Sequence, residues 1–205
     1  MVRVKICGVT RPQDVRFIAK AGADAIGFQM SQGPRKISPA LAKRLVKLVP
    51  SLVIPVGVFV NEPIAKVKRL AKFCGFQAVQ LHGDESEEYC QKLELPVVKT
   101  VRMRTKGTPR AYRGFSVAAF LLDSYNRKKV GGTGESFNLA WAPRAVRQLP
   151  APVLLAGGLT PGNVSRAVRK ARPFGVDVAS GVESRPGIKD PQKVSLFIRR
   201  AKKAL

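Results

Sequence analysis

The residues of this chain able to do chemistry are few. There are three cysteines, Cys7, Cys74 and Cys90, and one histidine, His82, set among 37 Lys and Arg and 13 Asp and Glu. A thiol works as a base or nucleophile only as its thiolate, which a nearby cation favours, and Lys5 stands two residues before Cys7. Asp123 closes the apolar run AAFLL, and a carboxylic acid there donates a proton near neutrality only if burial or a ligand keeps it protonated. Arg35 lies in a loop sequence, and a guanidinium can grip two oxygens of a carboxylate or phosphate at once. The pairs Gly157-Gly158 and Ser180-Gly181 leave backbone N–H groups open to close approach by an anion. Each residue also has an ordinary structural explanation: a small core thiol, a helix-capping aspartate, a surface arginine or a hydrogen-bonded histidine. Cys74 and Cys90, at helix-like positions, keep that explanation. An odd cysteine count without a CxxC pair, together with one histidine, argues against a disulfide framework and against a structural metal site.

Elements that could bring these groups together follow from the apolar rhythm. Eight β-branched runs recur: Arg3 to Val9, Asp24 to Met30, Val53 to Val60, Ala78 to His82, Val97 to Met103, Ala118 to Asp123, Val153 to Gly157 and Val176 to Ser180. Amphipathic stretches separate them, such as Pro39 to Val49 and Pro161 to Ala171, where Pro161 sits at an expected helix start. Eight alternating units in an uninterrupted chain of 205 residues predict one (β/α)8 barrel domain over 1–205, rather than an open doubly wound sheet. It is a short form of the fold. The stretch Thr105 to Gly114, broken by Gly107, Pro109 and Gly114, predicts a reduced fifth helix.

A barrel of this kind carries its active site at the carboxyl ends of the strands. Those ends hold Cys7, the Arg35 loop, Asn61, His82, Arg102, Asp123, Gly157-Gly158 and Ser180-Gly181. Period-two alternation also sets Lys5 and Cys7 on one face of the first strand, toward the upper barrel interior.

The composition, 45% hydrophobic and 24% charged, is that of a globular domain. No apolar run approaches the ~20 residues of a membrane span, and MVRVKICGVT lacks the apolar core of a signal peptide, so a cytoplasmic protein without membrane partners is expected. The formal charge is +24, yet the basic residues are spread along the chain and no aromatic-rich basic stripe accompanies them. Specific nucleic-acid binding is therefore not expected, and any polyanion binding would be a nonspecific, salt-sensitive by-product.

The order of the motifs KICGVT (5–10), AGADAIGF (21–28), VGVFVN (56–61), VQLHGDE (79–85), LLD (121–123), GGTG (131–134), LAGGLTPGNV (155–164), GVDVASGVE (175–183) and GIKD (187–190) closely resembles the phosphoribosylanthranilate isomerase family over essentially the whole chain. The resemblance implies a (β/α)8 barrel and an Amadori rearrangement of N-(5-phosphoribosyl)anthranilate to 1-(2-carboxyphenylamino)-1-deoxyribulose 5-phosphate in tryptophan biosynthesis. That reaction uses neither a metal nor another cofactor. By the matching motifs, Cys7 is the implied general base, with Lys5 as the source of a favourable field or as a partner of Asp123. Asp123 is the implied general acid, and Glu183, a rival acid, lies in a part better suited to phosphate. Arg35 is implied to hold the anthranilate carboxylate, Gly157, Gly158, Ser180 and Gly181 to cradle the phosphate, and His82 to play a supporting part. The segment Gly131 to Gly134 is expected to form a flap over the substrate. Monomer and homodimer both fit the resemblance.

Two departures stand out. The second loop reads GFQMSQGPRKIS, with Gly33-Pro34-Arg35 where a Ser-Pro-Arg type run is usual, and Asn138 stands where an Asp is common. Among rival barrels, a metal-dependent pentulose-phosphate epimerase would need more histidine ligands than one, and a bifunctional isomerase serving histidine biosynthesis would be longer and built of two similar halves. A barrel that had lost catalysis and bound RNA is opposed by the retained Cys7, Arg35 and Asp123.

Overall fold

The computed structural model describes residues 1–103, 108–123 and 141–205. Eight parallel strands close into a barrel in chain order: β1 (Arg3–Cys7), β2 (Ala25–Gln29), β3 (Ile54–Phe59), β4 (Ala78–Leu81), β5 (Val97–Arg102), β6 (Ala119–Asp123), β7 (Val153–Ala156) and β8 (Gly175–Val178). Closure is made by β1 and β8, with Lys5 in register with Asp177. All eight runs read from the sequence are strands, each within a few residues of its expected bounds. Parallel strands covered on both faces need nearly continuous apolar sequence, which is why they stand out.

The helices are α1 (Pro12–Lys20), α2 (Pro39–Val46), α3 (Ile64–Cys74), α4 (Glu87–Gln91), α5 (Ala142–Gln148), α6 (Val164–Ala171) and α7 (Pro191–Lys202). Proline opens α1, α2 and α7, where a missing N–H costs nothing. Ser38 caps α2 by accepting from Leu41 N at 3.2 Å, and Asp190 caps α7 by accepting from Gln192 and Lys193 N at 2.9 and 3.0 Å. Between β5 and β6 the described chain carries a 3-10 turn, Thr108–Tyr112, in place of a long helix, as its glycines and proline lead one to expect. Pro161 does not open a helix. α6 begins at Val164, because Asn163 spends its side chain on the preceding loop, accepting from Thr160 N at 2.8 Å and donating to Gly158 O at 3.0 Å. A short antiparallel hairpin of β9 (Glu183–Arg185) and β10 (Ile188–Lys189) follows β8. The segment Gly131 to Gly134, Asn138 and the start of the Thr105 to Gly114 stretch lie outside the described residues.

Most of the apolar core lies between strands and helices, and it includes Val4, Ile6, Phe28, Val101, Leu122 and Leu155. Cys74 and Cys90 are buried with it. A smaller cluster of Ala119, Leu121, Leu154 and Ala156, with Val98 against it, fills part of the interior. Among the inward positions Lys5, Gln80, Thr100 and Asp177 are also buried, so the same pleat that hides valines on one face carries polar groups on the other.

Candidate active site

A cavity of about 490 Å³ opens where the strands end. It brings together Cys7, Arg35, His82, Asp123, Gly157, Gly158, Ser180 and Gly181, all expected at the site. Lys5 lies beneath, buried to 2% exposure.

Lys5 pairs with Asp177, Nζ to Oδ1 at 2.7 Å, and not with Asp123. Register explains this: β8 is the neighbour of β1, whereas β6 is two strands beyond β8 in the closed order. Burial opposes the Lys5 charge, but Asp177 and Cys7 together outweigh it and hold the ammonium above its ordinary range. For Cys7 the balance goes the other way. Burial raises the thiol above its ordinary value, and Lys5 and Lys189 only partly counter that. Gly27 on β2 makes room for both groups, since a Cβ there would lie 2.8 Å from Cys7 Sγ and 3.0 Å from Lys5 Nζ.

Arg35 is clamped by Glu183 through two bonds, Nε to Oε1 at 2.8 Å and Nη2 to Oε2 at 2.5 Å. Glu183 also accepts from Lys189 Nζ at 2.7 Å and from Gly187 N at 3.2 Å. Burial works against its charge, but Arg35 and Lys189 hold its carboxyl below the usual carboxylate range. Burial lowers Lys189 below an ordinary lysine despite that contact. Glu183 is thus engaged with cations at the Arg35 side of the mouth, which its place in the sequence after the eighth strand did not reveal. The unusual loop also finds its reason. Gly33 takes φ 146° and leaves space that a Cβ would deny to Gln29, whose amide donates to Gln32 O at 3.1 Å.

On the other side, His82 Nε2 lies 3.3 Å from Asp123 Oδ2. Directly after β7, the neighbour of β6, Gly157 and Gly158 adopt φ 88° and 67°, the left-handed region that favours glycine. Gly181 follows Ser180 in a 3-10 turn, and a Cβ on it would collide with Leu159 O. The floor therefore offers a thiol beside an ammonium, a carboxyl opposite, a fixed guanidinium and bare backbone. That set suits proton transfer on a small molecule with anionic ends.

Residues 4–200 match the family model described as N-(5'phosphoribosyl)anthranilate (PRA) isomerase. The chain belongs to this family. The N-(5'-phosphoribosyl)anthranilate isomerase of Trichlorobacter lovleyi is 46% identical over 206 residues, covering 100% of both chains. The crystal structure of phosphoribosyl anthranilate isomerase from Thermotoga maritima superposes with a TM-score of 0.90 at 41% identity, covering 98% of this chain and 99% of the other. Another structure of such an isomerase, in complex with reduced 1-(o-carboxyphenylamino)-1-deoxyribulose 5-phosphate, gives a TM-score of 0.87 at 39% identity over 98% and 99%. The fold expected of a phosphoribosylanthranilate isomerase is thus the fold observed.

Sequence reasoning missed four groups in this isomerase site: Asp177, Glu183 as a clamp, Gln80 and Gly27. Asp177 and Gln80 did leave a signal, each a lone polar residue inside an apolar strand, GVDV and AVQL.

Proposed function

We propose that this chain catalyses the Amadori rearrangement of N-(5-phosphoribosyl)anthranilate in tryptophan biosynthesis, with Asp123 as general acid and Cys7 as general base. The observation that carries the assignment is the placing of both groups on the wall of one cavity, at the ends of β6 and β1. Asp123 gives its proton to the furanose oxygen as the C1–O bond breaks, and the anthranilate nitrogen lone pair forms the C1=N bond. The Cys7 thiolate then takes the C2 proton and the electrons return to nitrogen; the enolamine gains a proton at C1 and its C2 hydroxyl gives one up to become the ketone, a net exchange in which the thiol loses its proton and the Asp123 carboxylate regains one. Lys5, held charged by Asp177, offsets the negative charge that the thiolate brings into a buried place.

Arg35 is assigned the anthranilate carboxylate. Its Nε and Nη2 are bonded to Glu183, which fixes the guanidinium in the wall of the cavity and leaves Nη1 outside that clamp. The phosphate is assigned to the backbone of Gly157, Gly158, Ser180 and Gly181 between β7 and β8, and His82 a supporting place beside Asp123. The proposal extends to a cytoplasmic enzyme, monomer or homodimer, with no specific nucleic-acid partner. Among the described residues no helix is long and apolar enough to cross a membrane.

The test follows the fluorescence decay of freshly generated phosphoribosylanthranilate, coupled to indoleglycerol-phosphate synthase, for the natural chain, Cys7→Ser and Asp123→Asn. Rapid decay lost in both variants supports the assignment. A folded natural chain without turnover refutes it.

A further inference from the structure

Gln80 stands on β4 two residues before His82, so both side chains fall on the inward face. Its amide nitrogen lies 3.1 Å from His82 Nδ1, and Thr100 Oγ1 lies 3.2 Å from the same ring nitrogen. The amide also reaches Thr100 Oγ1 at 3.5 Å. The His82 backbone is held as well, its N–H donating to Phe59 O at 2.8 Å and its carbonyl accepting from Arg102 Nη2 at 2.6 Å. Gln80 is 2% exposed, and its Oε1 is buried with no hydrogen-bond partner among the described residues.

The orientation of the amide decides the chemistry of the ring. An NH2 group can only donate, so Nδ1 facing it must be an unprotonated acceptor. Turning the amide over would set Oε1 against Nδ1 and put two N–H donors in the buried place where a single carbonyl oxygen now lies without a partner. An under-used carbonyl oxygen is the more tolerable of the two. The proton of the neutral ring then sits on Nε2, 3.3 Å from Asp123 Oδ2.

We infer that Gln80, assisted by Thr100, is a positioning residue for the general acid: it locks His82 as the Nε2–H tautomer, which turns that N–H toward Oδ2 of Asp123 and offers it to the carboxylate once the acid has given up its proton. The consequence lies on the carboxyl. With that N–H facing Oδ2 at 3.3 Å, the acid proton belongs to Oδ1, and the carboxylate left after proton donation has a donor within reach of a small turn of the ring. Gln80 also lines the cavity, and its part in this account is to act on the acid through His82. The inference rests on Asp123 being the acid, as proposed above.

A single histidine makes the test direct, since every imidazole signal of the 15N-labelled full-length chain comes from His82. Near neutral pH the unprotonated ring nitrogen resonates well downfield of the protonated one, and correlation to the ring carbon protons tells Nδ1 from Nε2. The expected spectrum has Nδ1 downfield and Nε2 protonated. In Gln80→Glu a carboxylate faces Nδ1, so the proton moves to Nδ1, and kcat falls by roughly tenfold with KM little changed, the scale of one misplaced buried hydrogen bond. Gln80→Met, close in size and without a donor, serves if the glutamate variant does not fold. It is expected to give a mixture of tautomers and a smaller loss of kcat. A natural chain with Nδ1 protonated overturns the inference, as does a Gln80 variant whose tautomer shifts without loss of kcat, or whose only change is in KM. Because the spectrum needs no turnover, it stands apart from the acid assignment, which fails instead if Asp123→Asn remains fully active.

Discussion

Of the buried lysine–carboxylate pairs in the described residues, Lys189–Glu183 among them, two are alike in distance and burial and different in use. Lys5 meets Asp177 at 2.7 Å with the two side chains 2% and 10% exposed, and Lys99 meets Glu85 at 2.6 Å with 1% and 2%. Lys5 lies on the inward face of β1, beside Cys7 and under the cavity. Lys99 lies on the face of β5 opposite Thr100, where Nζ also donates to Gly83 O at 2.8 Å. Glu85 accepts in turn from the backbone N–H groups of Gly83 and Asn61. The second pair ties down the turn after β4 and the end of β3; the first places a positive charge against a thiol. Burial and pairing therefore do not mark a catalytic group. What the pair faces does.

This contrast can be broken by experiment. Among substitutions that spare Cys7 and Asp123, the largest effect on turnover is expected from Lys5→Met, which leaves the Asp177 charge beside Cys7 and removes the cation that favours the thiolate. The fall in kcat should be about hundredfold or more, the scale of general base catalysis, as read in the coupled fluorescence assay. The pH profile of kcat/KM sharpens the same point. With the thiolate as the proposed base and burial holding the free-enzyme thiol above its ordinary value, activity should climb with pH, by about tenfold per unit on the limb. That limb should lie above the range of an unperturbed thiol. In Lys5→Met, which loses a cation that lowers the thiol, it should move higher still.

Arg35→Lys comes next. A lysine cannot keep the two-point grip on Glu183 and also present a fixed donor, so KM should rise by about tenfold while kcat changes less. The smallest effect on turnover belongs to Lys99→Met. It leaves the Glu85 carboxylate buried without its cation, and stability should drop by about 3–5 kcal/mol in urea unfolding, while kcat per folded molecule stays near that of the natural chain. A Lys99 variant that folds as well as the parent but has lost turnover would erase the distinction between the two pairs.

The barrel was legible because buried parallel strands advertise themselves as short β-branched runs, and because strand ends collect the polar residues. Cys7, Asp123 and Arg35 were found through motifs at those ends, and the cavity holds all three. What escaped notice depends on partners remote in sequence. Lys5 and Asp177 meet only when the barrel closes β8 onto β1. The grip of Glu183 on Arg35 spans 148 positions and joins the first residue of the β9–β10 hairpin to the loop after β2. Asn163 shortened an expected helix for a similar reason, its amide being committed to the turn that carries Gly158. Inwardness decides the meaning of a polar residue, and it becomes certain only with the register in hand.

The most direct measurement of the central assignment is single-turnover rearrangement of phosphoribosylanthranilate carrying deuterium at ribosyl C2. With Cys7 as the base, the natural chain should show a primary isotope effect, and Cys7→Ser should lose the step. In Asp123→Asn the rate should fall and the isotope effect should shrink, because ring opening then limits. Turnover by Cys7→Ser at close to the natural rate, with the isotope effect intact, would mean that another group removes the proton, and would contradict the account.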